Sequence, residues 1–169
     1  MNVQLRKFQA SDAQDVAKYA DNQKIAKWLR DIFPHPYTLA DAEWYVNDCA
    51  ANSETRQCLR AIVVDGEVVG SVGVYLQNDV GCKNAELGYW LGEPFWGQGI
   101  ATAAVKELCA FVFHHYDVVR IYAEPFADNT GSRRVLEKAG FVLEGTLRNS
   151  VFKNGEFHDS CIYALLRSN

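Results

Sequence analysis

Apolar and polar positions alternate through VQLRKF (residues 3–8), the period-two pattern of a strand with one covered face. SDAQ (11–14) has the Ser-x-x-Gln form of a capping box and predicts a helix to residue 20, with a second short helix over 23–29. Two prolines in DIFPHPYT (31–38) break helix and leave a loop carrying Phe33, His35 and Tyr37. Thr38 with Asp41 starts a further helix to about residue 50. The pattern then turns to strands. CLRAIVVD (58–65) and EVVGSVGVYL (67–76) are rich in β-branched residues and joined by Asp65-Gly66, a hairpin signal. AELGYWLG (85–92) predicts another strand after the polar loop 78–84. Residues 97–116 predict a helix that is apolar on most sides, which implies burial between layers. A strand over 118–124 and a helix over 129–140 follow, the helix capped by Asn129 and stopped by Gly140. FVLEGTLRNSVFKN (141–154) reads as one strand bent near Gly145, and Asn154-Gly155 turns it into a last strand over 156–166. The resulting order is β-α-α-α-β-β-β-α-β-α-β-β: a mixed α/β chain, expected to be one domain over 1–169.

Composition narrows the function classes. Seventeen basic residues against 21 acidic ones leave a formal net charge of -4, without the basic excess that a broad nucleic-acid footprint needs. No stretch reads as a signal peptide or a membrane span. The five cysteines (Cys49, Cys58, Cys82, Cys109, Cys161) are scattered without a C-x-x-C pair, the usage of reduced thiols in a cytoplasmic protein. His35, His114, His115 and His158 lack metal-ligand spacing, so no metal is expected. VGSVG (69–73) lacks the first glycine of a G-x-S-x-G hydrolase elbow.

WGQGIATAAVKEL (96–108) sets Gly97 and Gly99 directly before an apolar helix. Thr102 stands where a Rossmann fingerprint needs its third glycine, and Gln98-Gly99 where a P-loop needs Lys and Ser/Thr, so neither nucleotide motif is complete. What remains is a tight turn or a general anion nest, in which backbone N–H groups at a helix N-terminus face negative charge.

ELGYWLGEPFWGQGIATAAV (86–105), followed by NTGSRRVLEKAGF (129–141), resembles the GNAT superfamily of acetyl-CoA-dependent N-acetyltransferases, and within it the RimJ/RimL branch. The resemblance implies a GNAT fold, a central twisted and mostly antiparallel sheet flanked by helices. It implies acetyl-CoA as co-substrate and direct transfer of acetyl to a primary amine: a protein N-terminus, a polyamine or another small amine. A non-catalytic acyl-CoA-binding or sensor module of the same fold is the alternative. No direct nucleic-acid or membrane partner is implied, and a homodimer is compatible.

The resemblance also assigns residues. Trp96, Gly97, Gln98, Gly99, Ile100, Ala101 and Thr102 would hold the CoA pyrophosphate, although Trp96 stands where the family pattern has Gln or Arg. The strand end near Leu91 would splay from its neighbour and pair with the pantetheine arm, a backbone N–H polarising the thioester carbonyl. Asn129 matches the family's pantetheine-binding Asn; capping its own helix is its structural role. The tyrosine many members use to protonate the thiolate falls on Leu136, so Ser132 becomes the candidate donor, with Tyr89 and Tyr163 on nearby strands.

Deprotonation is the harder step. A lysine-like amine with a pKa of about 10.4 is neutral in roughly one molecule in ~2,500 at pH 7, whereas an α-amino group near ~8 costs only about 1 kcal/mol. Glu86, on the same strand face as Gly88 and Trp90, is the candidate general base. The acceptor would be chosen by the N-terminal helices, the 31–38 loop and the final hairpin; Trp28, Phe33, Tyr37 and Trp44 are either pocket or core, and His35 is a candidate contact.

Overall fold

The computed structural model describes every residue except Ser53. Its elements are β1 (Val3–Arg6), α1 (Ala13–Ala20), α2 (Gln23–Ala26), α3 (Leu39–Ala51), β2 (Gln57–Val64), β3 (Glu67–Leu76), β4 (Asn84–Leu91), α4 (Ile100–His115), β5 (Arg120–Ala123), α5 (Thr130–Lys138), β6 (Val142–Lys153) and β7 (Glu156–Leu166). The strands form one open sheet in the order β1-β2-β3-β4-β5-β7-β6. Every pairing is antiparallel except β4 with β5, which α4 connects as a crossover. This is the mixed α/β order that the hydrophobic pattern predicts, arranged as the mostly antiparallel sheet flanked by helices that the family resemblance implies.

Each face of the sheet carries its own core. Ala85, Leu87 and Leu91 of β4 pack with Ala104, Leu108 and Val112 of α4 and Leu136 of α5. Trp90 points the other way and packs with Val16 of α1, Ile25 of α2 and Val46 of α3. The period of two therefore puts Glu86 and Gly88 on the α1–α3 face with Trp90. Gly70 keeps β3 and β4 close: a Cβ there would lie 2.4 Å from the Trp90 carbonyl oxygen.

Several element boundaries differ from the sequence expectation for identifiable reasons. The SDAQ capping box does not form. Asp12 is instead buried in a bidentate pair with Arg6 (2.8 Å to each oxygen) and accepts from the Gln9 N–H at 2.8 Å, so α1 starts at Ala13 behind a single 3-10 turn. β1 stops at Arg6 because Phe8 leaves the ladder to enter the second core, edge-on to Tyr45 at 5.4 Å. α2 is one turn, continued by tighter bonds from Trp28 and Leu29 to Ile25 and Ala26. α4 buries one face only; Lys106, Glu107, Ala110, His114 and His115 are exposed, which corrects the expectation of burial between layers. The bend near Gly145 is present as a register shift, and a second shift lies between Leu147 and Val151, where Asn149 adopts φ 51. Among the described residues, no helix is long and apolar enough to cross a membrane.

Candidate active site

β4 and β5 pair over three residues only, and the last pair is Glu86 with Tyr122. β5 ends at Ala123 and continues its other pairing with β7, while β4 runs on to Leu91 against β3. From Leu87 onward the β5-facing edge of β4 has no strand beside it. The sheet thus opens into a notch, as the splay near Leu91 predicts. Backbone N–H and C=O groups along such an edge are unpaired donors and acceptors for an extended ligand.

Beyond the notch, a turn over Glu93–Phe95 leads to the glycine loop. Gly97 (φ 73) and Gly99 (φ 77) are left-handed, and a Cβ on either would meet nothing within 4 Å. Glycine is required here by backbone conformation, and the surrounding space is open. Gly99 is the N-cap of the 16-residue α4 and offers no side-chain oxygen to its first turn. The N–H groups of Ile100, Ala101 and Thr102 are therefore left for an anion at the positive end of the helix. The Trp96 indole donates to the Leu91 carbonyl oxygen at 2.7 Å, and Gln98 Nε2 to Pro94 O at 3.0 Å. Trp96 ties the loop to the end of β4, a structural role that a sequence departure alone does not reveal.

On the α4–α5 side, Asn129 Oδ1 accepts from the Ser132 N–H at 3.2 Å, which makes it the cap of α5. Its Nδ2 makes no hydrogen bond among the described residues. Ser132 Oγ lies 2.7 Å from the Tyr89 hydroxyl of β4. Burial pushes the Tyr89 hydroxyl up to about 12, and its bond to Ser132 opposes that. Tyr89 therefore stays protonated at neutral pH, and its one proton can go to Ser132 Oγ or to the Ser132 carbonyl oxygen at 3.4 Å. Leu136 is fully buried in the core. Tyr163 is committed elsewhere: its hydroxyl donates to Glu137 and accepts from Arg133 Nε, each at 2.9 Å.

Glu86 faces the other side of the notch. Register places Tyr75 of β3 and Tyr122 of β5 beside it, and its Oε1 accepts from Arg30 Nη2 at 2.6 Å. Arg30 stands on the turn after α2, and its pairing with Glu86 over 56 residues carries no local sequence signal. Most of the 31–38 loop is exposed, Ile32 at 83%, and only its aromatic side chains turn inward. Tyr37 is buried, Phe33 meets Tyr37 and Trp90 at 5.0 and 6.1 Å, and Trp28 meets Phe126 at 5.8 Å. Trp44 is exposed on α3. His35, with Asp31, Phe33 and Lys153, lines a cavity of about 240 Å³ that adjoins the β6–β7 turn.

The sheet is thus open, with a notch between its fourth and fifth strands, a helix N-terminus past the end of β4, and a carboxylate and a hydroxyl on opposite faces. Residues 2–142 match the acetyltransferase (GNAT) domain. The chain belongs to the GNAT acetyltransferases. This acetyltransferase is similar to the putative ribosomal N-acetyltransferase YdaF of Bacillus subtilis (strain 168), 30% identical over 171 residues that cover 98% of this chain and 92% of the relative. Among solved structures it is similar to RimJ of Mycobacterium smegmatis in complex with CoA-disulfide (TM-score 0.83, 26% identity, 97% of this chain and 81% of that one). It shares its fold with RimL, a ribosomal L7/L12 alpha-N-protein acetyltransferase in complex with coenzyme A (TM-score 0.87, 23% identity, 98% and 94%). The GNAT chain is thus an acetyl-CoA-dependent N-acetyltransferase, similar to RimJ, acting on an amine-bearing acceptor, and the non-catalytic alternative finds no support among these relatives. The glycine loop and the notch fit CoA: open left-handed turns before a helix for the pyrophosphate, and an unpaired strand edge for the arm.

Proposed function

We propose that this chain, acting as one domain over 1–169, acetylates an α-amino group at the N-terminus of a peptide or protein, with Glu86 as base and Ser132 as donor to the departing sulfur. The observation that carries the reading is the notch, where pairing of β4 with β5 stops at Glu86 and the Tyr89–Ser132 pair lies on the opposite face. A thioester held in the notch presents its carbonyl between the two. Glu86 takes a proton from the ammonium, and the neutral amine attacks the carbonyl carbon. A C–N bond forms, the C–S bond breaks, and the sulfur leaves with the electron pair. Ser132 donates a hydrogen bond to that sulfur, and the second proton lost by the nitrogen balances its charge. With Tyr89 as the donor in its 2.7 Å pair with Ser132 Oγ, the single serine proton is turned toward the notch, and Tyr89 positions Ser132 rather than touching substrate. Backbone N–H groups of Gly97 to Thr102, with Trp96 bracing the loop, hold the pyrophosphate; Leu91 and Asn129 Nδ2 hold the arm.

An α-amine suits this arrangement because one carboxylate has only about 1 kcal/mol of deprotonation to overcome at neutral pH. The relative named as a putative ribosomal N-acetyltransferase supports the same class. Buried Cys58, Cys109 and Cys161 suit a reducing compartment, and we place the enzyme in the cytoplasm. Thiol release from acetyl-CoA across a panel of peptides, polyamines and aminoglycosides tests the reading. Turnover on peptide N-termini is expected. CoA binding with no turnover on any amine overturns it.

A further inference from the structure

We propose that Arg30 selects acceptors that carry an anionic group next to the reacting amine, and disfavours polyamines. The inference rests on the proposed role of Glu86 and deepens it. The Arg30 side chain is 77% exposed and among the described residues makes a single hydrogen bond, to Glu86 at 2.6 Å, while the Glu86 side chain is 22% exposed. An ion pair with one partner so open contributes little to folding, because solvent screens it and the long side chain loses freedom. Its chemical consequence is larger. Arg30 occupies the carboxylate that an acceptor ammonium has to reach, so each acceptor competes with a guanidinium.

The surroundings decide which acceptor wins that competition. Tyr75 and Tyr122 flank Glu86 on the neighbouring strands, and the charges acting on those two hydroxyls include Arg30, Glu86, Asp48, Glu124 and Arg120. Arg120 lies over the Tyr122 ring and is held by Asn84 and Glu144, and it faces the site as a second cation without being free to move. Three carboxylates thus attract an amine in general, and Arg30 is the one cation of this group bonded to Glu86 alone. A polyamine brings a second ammonium toward the displaced guanidinium and is repelled. An α-amine with a neighbouring carboxylate gives Arg30 a new bidentate partner as the ammonium takes its place on Glu86, so the ion pair is exchanged rather than broken. An acidic peptide N-terminus and a free acidic amino acid share this chemistry.

The test compares kcat/KM of the full-length enzyme for a peptide with Asp at its second position, the same peptide with Lys there, free glutamate, and spermidine. The acidic peptide is expected to exceed the Lys peptide and spermidine by about tenfold at low ionic strength, a preference that shrinks as salt rises. Arg30→Ala should erase the preference and raise spermidine turnover; Arg30→Lys, which keeps the charge but not the fork, should retain part of it. Glutamate turned over with the same Arg30 dependence assigns the acceptor to amino acids, and its rejection beside an accepted acidic peptide assigns it to peptides. Equal turnover of acidic and basic peptides by the wild-type enzyme, or an Arg30→Ala effect that scales every acceptor alike, overturns the inference. Absence of turnover on every amine would instead strike at the N-acetyltransferase assignment of the site.

Discussion

The two ends of the notch are built from different materials. At the glycine loop the site is backbone: left-handed Gly97 and Gly99, and the bare first turn of α4. At the acceptor end it is side chains gathered from distant segments, with Arg30 on Glu86 across 56 residues, and between the two ends Tyr89 meets Ser132 across 43. A ligand common to many enzymes can be held by main-chain groups that tolerate substitution around them. The acceptor, which distinguishes one enzyme from another, is read by side chains that need not be near each other in the chain. Removing each kind of contact should therefore fail differently.

The largest effect is expected at the acceptor end. Glu86→Gln keeps the shape and removes the proposed base, so kcat/KM should fall about 100-fold or more, the usual contribution of general base catalysis. The loss should be greatest for amines of high pKa assayed below that pKa. Acetyl-CoA affinity, measured by calorimetry, should not change. A pH–rate profile identical to that of the wild type would remove Glu86 from this role.

The loop should fail in the opposite sense. Gly99→Val forces a β-branched residue into φ 77, which costs about 1–3 kcal/mol of backbone strain and tilts the N–H groups of α4. The Kd for acetyl-CoA should rise about tenfold or more, with kcat at saturation changed much less. A wild-type Kd together with a reduced kcat would show that the two ends are not separable.

Between the ends stands the Tyr89–Ser132 pair. Ser132→Ala should lower kcat about tenfold, the worth of one hydrogen bond to a developing charge. Tyr89→Phe keeps the ring and removes the 2.7 Å bond, with a smaller loss of about threefold. The double variant should be no worse than Ser132→Ala, since Tyr89 acts through the serine. Because the Tyr89 hydroxyl is raised to about 12, its neutral donor form persists as pH rises past the ordinary tyrosine value, and no loss of activity from its ionisation is expected below that range. An acetyl thioester of a more acidic thiol should be less sensitive to both variants; equal sensitivity would mean that the pair only supports the fold.

How much of this is legible in the sequence follows the same division. The strand and helix order and the glycine turn before α4 come from patterns within a few residues, whereas the splay of β4 came only with the family resemblance; the structure has all three. The start of α1 was misplaced because the competing acceptor, the Asp12–Arg6 pair, is a tertiary contact. The helix of residues 97–116 reads as apolar on most sides because Ala and Phe occupy positions that turn out to be open or half-buried. Tyr89 could be placed on a nearby strand, but its direction depended on knowing which face α5 covers. Arg30 had no signal at all: it follows one turn of helix, and its partner lies on β4, beyond α3 and two intervening strands.

Trp96 gives the smallest effect and the most direct test of why this loop departs from its family. Its ring is partly exposed, so it is not needed to fill the core, and its measurable contribution is the 2.7 Å bond from the indole N–H to Leu91 O. That bond fastens the glycine loop to the end of β4, where the notch begins. Trp96→Phe removes the donor and leaves an aromatic ring, so acetyl-CoA binding should weaken by only about threefold, in keeping with one neutral hydrogen bond of about 0.5–1.5 kcal/mol. Trp96→Arg, which restores the family's residue type, regains a donor able to reach a carbonyl or a phosphate and should recover or improve that affinity. If Phe binds as well as Trp while Arg binds better, the indole is a packing substitute; if Arg binds worse, the anchor to Leu91 is what this loop has adopted in place of a charge.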